Sequence, residues 1–360
     1  MGPGERRPGG RVTLHLRHEV LRLGLRDPFR IARTEHGGGH EVTTVIVELE
    51  DDRFPGLVGY GEGYPDAYYG ETPATMAAVW PLLLDAVGQP EPTSPGLVAA
   101  GEAMAGAIRW NGAAKCALDS ALLDLVGRAT GTPAWRLLGL SPSIPPTDFT
   151  LGLDEPSVVA ELARRAGAFP ALKIKVGGPA DLATLRAVRE VYDGPIRVDA
   201  NTGWTPDVAV MLLPELVALG VELIEQPFPA RRLDWLAGLQ QRSTLPIVAD
   251  ESCVTDEDLD GLVGVTAGVN VKLAKCGGPG PAARMLARAR GLGFRTFVGC
   301  MEETSVVIAA SAAVASLADW VDLDGSLLLA DDPFTGLDLG ADHAWVLGDA
   351  PGLGVSRRRR

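Results

Sequence analysis

Five charged residues recur along the chain at intervals of 24, 26, 25 and 22: Lys175, Asp199, Glu225, Asp250 and Lys272. Each closes a short apolar run, "LKIK", "IRVD", "ELIE", "IVAD" and "VNVK". Three carboxylates brought together offer oxygen ligands without sulfur, the donor set of a hard cation, and magnesium suits them best. Two lysines flanking such an ion could move a proton. A hydrogen α to a carboxylate or amide is very weakly acidic, and it leaves only where the charge developing on the enolate oxygens is stabilised. A lone aspartate at a strand end is as often a turn former or a helix N-cap, but three in register are not accounted for that way.

The stretch "PALKIKVGGP" places a second lysine, Lys173, two residues before Lys175. On a strand both ammonium groups then project to one side, while Leu172, Ile174 and Val176 take the other. On an exposed edge such a pair is ordinary. Inside a barrel it puts two charges where burial is expensive, and the first cation then lowers the pKa of the second, so that Lys175 can serve as a base.

The elements that must position these residues follow from periodicity. From Thr147 onward, β-like runs recur as "FTLGL", "LKIKV", "IRVDA", "VELIE", "LPIVAD", "VNVKLA", "FRTFVG" and "WVDLDG". Helical stretches such as "DLATLRAVREVYD", "DVAVMLLPELVALG" and "PAARMLARARGLG" lie between them. Eight evenly spaced units predict a (β/α)8-type TIM barrel rather than a doubly wound open sheet. Barrel active sites sit at the C-terminal strand ends, where the five charged residues fall. The second and sixth strands stand four apart in a ring of eight, so Lys175 and Lys272 face each other across the mouth, one toward each face of a planar intermediate.

Upstream, "EVTTVIVELED" and "GLVGYGEGYP" predict neighbouring antiparallel strands, "TPATMAAVWPLLLDAV" a helix and "GQPEPTSPG" a loop. Residues 1–125 are expected to form an α+β capping domain, to which the segment 326–360 can contribute, and residues 126–325 the barrel. The helical "GAAKCALDSALLDLVGRATGTPAWRLLG" carries the chain from one to the other.

Bulk composition excludes several functions. With 33 basic and 46 acidic residues the net charge is -13, which argues against a nucleic-acid or anionic-membrane surface. The terminal "RRRR" reads as a frayed tail. Cys116, Cys253, Cys276 and Cys300 are too widely spaced to suggest a zinc site or a disulfide framework. "MGPGERRPGGR" lacks the apolar core of a signal peptide, and "VVIAASAAVASLA" is too short to span a bilayer. A soluble cytoplasmic protein is expected.

"AAKCALDSALLDLVGRATGTPAWRLLG", "LKIKVGG", "VDANTGW", "IEQPF", "ADES" and "NVKLAKCGG" together resemble the enolase superfamily, within it the muconate-lactonising-enzyme-like subgroup. The resemblance runs nearly the length of the chain and implies the modified (β/α)7β barrel with its capping domain. It implies Asp199, Glu225 and Asp250 as ligands of one Mg²⁺ and Lys175 and Lys272 as the acid/base pair, with Lys173 supporting Lys175 in the substrate site. "KCGGP" echoes "KVGGP" and would align Lys275 with Lys175, but the family pattern favours Lys272 and leaves Lys275 a structural loop residue. None of His15, His18, His36, His40 and His343 stands at a strand end, which removes a histidine base.

Within the subgroup, "WVDLDG" is similar to the Asp-x-Asp motif with which dipeptide epimerases hold the substrate ammonium, implying that Asp322 and Asp324, on one face of the last strand, cradle a cation. "GCMEET" resembles their Met-x-Glu segment and places Met301 and Glu303 near the substrate, with Thr150 on the first strand a further contact. "DPFRIARTEHGGGHE" reads as a mobile lid, and its Arg33 corresponds to an arginine that meets an acidic side chain in Ala-Glu epimerases. The resemblance implies a Mg²⁺-dependent dipeptide epimerase working by two-base 1,1-proton transfer, and a homo-oligomer is expected. N-acylamino-acid racemase, o-succinylbenzoate synthase or cycloisomerase chemistry on the same scaffold is the alternative, and a catalytically silent ligand-binding barrel is the alternative of another class.

Overall fold

The computed structural model describes residues 13–33 and 39–359. Three antiparallel strands open the chain, β1 (Leu14–Gly24), β2 (Glu41–Asp51) and β3 (Gly59–Gly63), in the order β1-β2-β3. Three helices follow, α1 (Pro73–Val87), α2 (Ser94–Ala107) and α3 (Gly112–Thr130). In "GYGEG" the glycines share one face of β3, and a Cβ on Gly59, Gly61 or Gly63 would stand 2.3, 1.9 or 2.3 Å from the carbonyl oxygens of Ala121, Ala117 and Ala113. These carbonyls recur every four residues along α3, so helix and strand lie backbone against backbone, which only glycine permits. The other face of β3 then turns Glu62 toward the barrel.

Eight parallel strands follow in sequential order: β4 (Phe149–Leu151), β5 (Leu172–Lys175), β6 (Ile196–Asp199), β7 (Val221–Glu225), β8 (Ile247–Ala249), β9 (Gly268–Lys272), β10 (Arg295–Gly299) and β11 (Trp320–Asp322). The Asp148 amide donates to the Val321 carbonyl at 3.0 Å and joins the first strand to the last. The short α4 (Ala134–Leu137) leads in, and α5 (Pro156–Arg165), α6 (Asp181–Arg189), α7 (Pro206–Ala218), α8 (Leu233–Gln240), α9 (Leu259–Leu262), α10 (Leu273–Cys276), α11 (Pro279–Gly291), α12 (Ser305–Ala312) and α13 (Gly325–Leu328) separate or follow the strands. Leu172, Ile174, Ile196 and Val198 are fully buried in the layer shared with the helices. Leu223, Val248, Phe297 and Trp320 form a separate apolar cluster.

Several expectations need correction. β1 was not anticipated: most of its residues are exposed, and Arg17, His18 and Glu19 interrupt its apolar alternation. "GQPEPTSPG" is a loop only as far as Thr93, whose side chain caps α2 at Gly96 N. The start of the arginine tail is held: Ser356–Arg357 pairs with Phe334–Thr335, Arg357 forms ion pairs with Glu19 and Glu48, and Arg358 pairs with Asp331, while Arg360 lies outside the described residues. The C-terminal segment also reaches α3, where Leu353 N donates to Asp124 at 2.8 Å. Of the anticipated lid, residues 34–38 with His36 lie outside the described residues, as do residues 1–12. Among the described residues no helix is long and apolar enough to cross a membrane.

Candidate active site

The strand register brings the charged ends to one level: Lys175 pairs with Asp199, and Asp199 with Glu225. Asp199, Glu225 and Asp250 are buried and each offers an oxygen within 4.8 Å of the others. Lys173 reaches Asp199 at 3.3 Å and Glu225 at 2.9 Å, Lys175 reaches Asp199 at 2.7 Å, and Lys272 reaches Asp250 at 3.0 Å. Burial opposes ionisation of Glu225 and, with Asp199 beside it, pushes its carboxyl up to about 7. Burial also opposes the ammonium of Lys272, yet Asp250, Glu225 and Asp199 together outweigh it and hold the group above its usual range. Crowded carboxylates with an all-oxygen donor set fit a divalent cation.

Lys275 is not in a loop. It lies in α10, donates to Asp250 Oδ1, and its ammonium also meets the carbonyls of Asp250, Cys253 and Asn270 at 2.7, 2.9 and 3.0 Å. That set of acceptors fixes Asp250 from behind the cluster.

On the opposite side, Lys173 donates to Asp322 Oδ2 at 2.6 Å, and Thr150 Oγ1 donates to Asp322 Oδ1 at 2.9 Å. Asp324 is not on the strand. β11 ends at Asp322, and Asp324, with φ -91° and ψ 0°, caps α13 and accepts from Thr150 N at 2.6 Å. Both aspartates nevertheless line the same cavity of about 310 Å³ as Lys173, Lys175 and Lys272. Burial and the neighbouring Asp322 push Asp324 well above the usual carboxylate range, whereas Lys173 holds Asp322 below it against burial. An arriving cation would relieve that repulsion.

The outer wall belongs to the capping unit and to the turn after β10. Arg33 lines the cavity, but its guanidinium is ion-paired with the buried Glu251, donates to Asn201 O at 3.1 Å and stacks on Tyr68 at 4.3 Å. Met301 and Glu302 line the cavity and Glu303 does not. Past the strand end, two-residue alternation no longer holds. Glu303 folds back to accept from Met301 N at 3.0 Å, and burial, with Glu62 nearby, pushes its carboxyl up to about 8. Glu62 accepts from Thr44, from Thr304 N and Oγ1 and from Val307 N, so the capping sheet is pinned to the start of α12.

Residues 157–360 match the family model described as enolase C-terminal domain-like, and residues 13–139 that described as the mandelate racemase / muconate lactonizing enzyme N-terminal domain. The chain belongs to the mandelate racemase/muconate lactonizing enzyme family. Among its relatives, an L-Ala-D/L-Glu epimerase of Bacteroides thetaiotaomicron is 37% identical over 93% of this chain and 86% of its own. A hydrophobic dipeptide epimerase of Enterococcus faecalis is 36% identical over 95% and 98%. A crystal structure of the dipeptide epimerase from Enterococcus faecalis V583, complexed with Mg and the dipeptide L-Leu-L-Tyr, is similar with a TM-score of 0.87 at 35% identity, covering 97% of this chain and all of that one.

Other residues of this family member were not singled out from the sequence. Asn270 donates to Glu225 at 2.7 Å, and it shares the inward face of β9 with Lys272, a spacing of two that could have flagged it. Asn201, in "VDANTGW", takes the left-handed φ of 40°, donates its amide to Asp199 at 2.9 Å and lines the cavity. Gln226 accepts from Asp250 N at 2.9 Å and Ser252 N at 3.0 Å and so shapes the turn that presents Asp250.

Proposed function

We propose that this protein is a dipeptide epimerase that inverts one α-carbon by two-base 1,1-proton transfer, with Mg²⁺ as cofactor. The observation that carries the reading is the placement of Lys175 on β5 and Lys272 on β9, four strands apart in the ring, lining one cavity on either side of the carboxylate cluster. Asp199, Glu225 and Asp250 would hold the ion, whose charge would stabilise the negative charge developing on the substrate oxygens.

The protein's own groups do the rest. Asp322 and Asp324 receive the substrate α-ammonium, and Thr150, whose N–H and O–H are both committed to these carboxylates, keeps them in place. Lys173 neutralises Asp322, Glu225 and Asp199 together: burial works against its charge, and these carboxylates prevail and hold it well above the usual range. Lys175 takes the α-proton from one face, and Lys272 returns one to the other. The turn carrying Met301 and Glu302 closes the cavity on the side of the capping domain.

All four cysteines are free, which supports a cytoplasmic setting. Val210, Met211 and Val217 lie exposed on α7, which supports a homo-oligomer. The decisive experiment is a dipeptide library incubated with protein and Mg²⁺ in D₂O, read by mass spectrometry. Uptake of one deuteron at an α-carbon, with both epimers appearing, is expected; a library without any exchange refutes the reading.

A further inference from the structure

The cavity holds more negative charge than the proposed chemistry uses. Lys173, Lys175 and Lys272 are matched by Asp199, Glu225, Asp250 and Asp322, and Arg33 is matched by Glu251. Asp66, Glu302 and Asp324 also line the cavity, and none of them has an ion-pair partner among the described residues. The substrate α-ammonium accounts for Asp324. Asp66 is held as the cap of a short turn, accepting from Tyr68 N at 2.8 Å. Glu302 is fixed through one oxygen, Oε2, which accepts from Tyr64 OH at 2.9 Å, and among the described residues no group binds Oε1.

Resting on the epimerase reading above, we propose that Glu302 determines specificity, selecting dipeptides with a cationic side chain on the residue that bears the free ammonium. Three observations set the sign and the place. The turn that carries Glu302 packs against Gly325, the residue after Asp324, where a Cβ would stand 2.3 Å from Met301 O and 2.9 Å from Glu303 N, so Glu302 stands on the ammonium side of the cavity. The half-buried Tyr64 hydroxyl holds its carboxylate in one orientation, which prepares it to receive a donor with little further ordering. Arg33, the one arginine on the wall among the described residues, already faces Glu251 and Asn201, which follow β8 and β6 on the other side of the mouth. An acidic side chain beside Glu302 would add like charge to an unmatched carboxylate, whereas a lysine or arginine side chain would make a charge-assisted hydrogen bond to Oε1.

The test compares kcat/KM for Lys-Ala, Ala-Lys, Ala-Ala and Glu-Ala by α-proton exchange in D₂O with Mg²⁺ present. Lys-Ala should exceed Ala-Ala by about tenfold or more, the range of one charge-assisted bond, and Glu-Ala should rank lowest. Glu302→Gln, which can still accept from Tyr64, should bring the Lys-Ala to Ala-Ala ratio close to one, and Glu302→Lys should place Glu-Ala above Lys-Ala. A ratio unchanged in Glu302→Gln, or Ala-Lys preferred to Lys-Ala, overturns the assignment. Exchange of Ala-Ala without any charge preference refutes this inference alone; no exchange of any dipeptide refutes the epimerase reading with it.

Discussion

Lys173 and Asp322 lie on strands β5 and β11, 149 positions apart in the chain, with the ammonium 2.6 Å from the carboxylate. Because the same ammonium stands 2.9 Å from Glu225, one buried cation joins the carboxylate cluster to the cradle proposed for the substrate ammonium. Removing it leaves the buried Glu225 and Asp322 without an ion-pair partner among the described residues, while Asp199 and Asp250 keep Lys175 and Lys272. Lys173→Met should therefore cost about 3–5 kcal/mol in urea unfolding without metal. Saturating Mg²⁺ should recover only part of this, because Asp322 is not among the three clustered carboxylates. Full recovery would show that Asp322 does not depend on Lys173.

Chelation should remove activity and leave the fold. The barrel's apolar layers are built from residues such as Ile174, Val198 and Ile224, not from the three carboxylates, so the far-UV circular dichroism of chelator-treated protein should match that of the untreated protein. Activity should return on adding Mg²⁺, and Asp199→Ala, Glu225→Ala or Asp250→Ala should each prevent that return. Turnover persisting in the metal-free protein would contradict the assignment.

Glu303 should make stability fall as pH rises. Its folded carboxyl, pushed up to about 8 by burial with Glu62 nearby, binds a proton that the unfolded chain, with an ordinary value of 4.5, has released. Between those two values the folded state holds the extra proton, and stability declines by about 1.4 kcal/mol per pH unit at most. Glu303→Gln cannot ionise, so its denaturation midpoint should be flatter than the wild type's from about pH 4.5 to 8. Parallel profiles would mean that Glu303 is ionised in the fold.

The contrast between Glu303 and Glu302 shows what the sequence made legible. Within strands, the two-residue repeat and the spacing of the units placed Lys173, Lys175, Asp199, Glu225 and Lys272 on the inward face, because burial on the other face demands apolar partners. One step past a strand end that constraint is gone. Asp324 left the strand, and Glu302 replaced Glu303 at the cavity. Asn201, Gln226 and Asn270 carry no charge, so burial alone makes them noteworthy. Arg33 was legible as a charged loop residue, but its partner Glu251 comes from the far side of the barrel mouth, and no local pattern joins positions 218 residues apart.

Asp322 and Asp324 should discriminate between free and N-acylated substrates. If they hold the α-ammonium, Asp322→Asn/Asp324→Asn should lower kcat/KM for a free dipeptide by about 100-fold while N-acetylated analogues lose far less, since a neutral acyl group needs no counter-charge. The comparison requires one dipeptide and its N-acetyl form, assayed with the same preparation. Equal losses on both would assign the pair to support of Lys173 and Thr150 instead.

The two lysines give the most specific expectation. Because Lys175 and Lys272 approach from strands on opposite sides of the ring, each should reach the α-proton of only one epimer. Lys175→Ala and Lys272→Ala should each abolish epimerisation in both directions, since inversion needs a proton removed on one face and delivered on the other. Each variant should nonetheless exchange the α-proton of one epimer with D₂O through its remaining lysine, and the two variants should choose opposite epimers. The residual exchange is expected to be slower than in wild type, because each replacement also removes a positive charge from beside the developing negative charge. Incubating each variant with each epimer in D₂O and following the α-proton by NMR gives four rates, of which two on one diagonal should be measurable. Exchange of the same epimer by both variants would mean that the lysines do not address opposite faces.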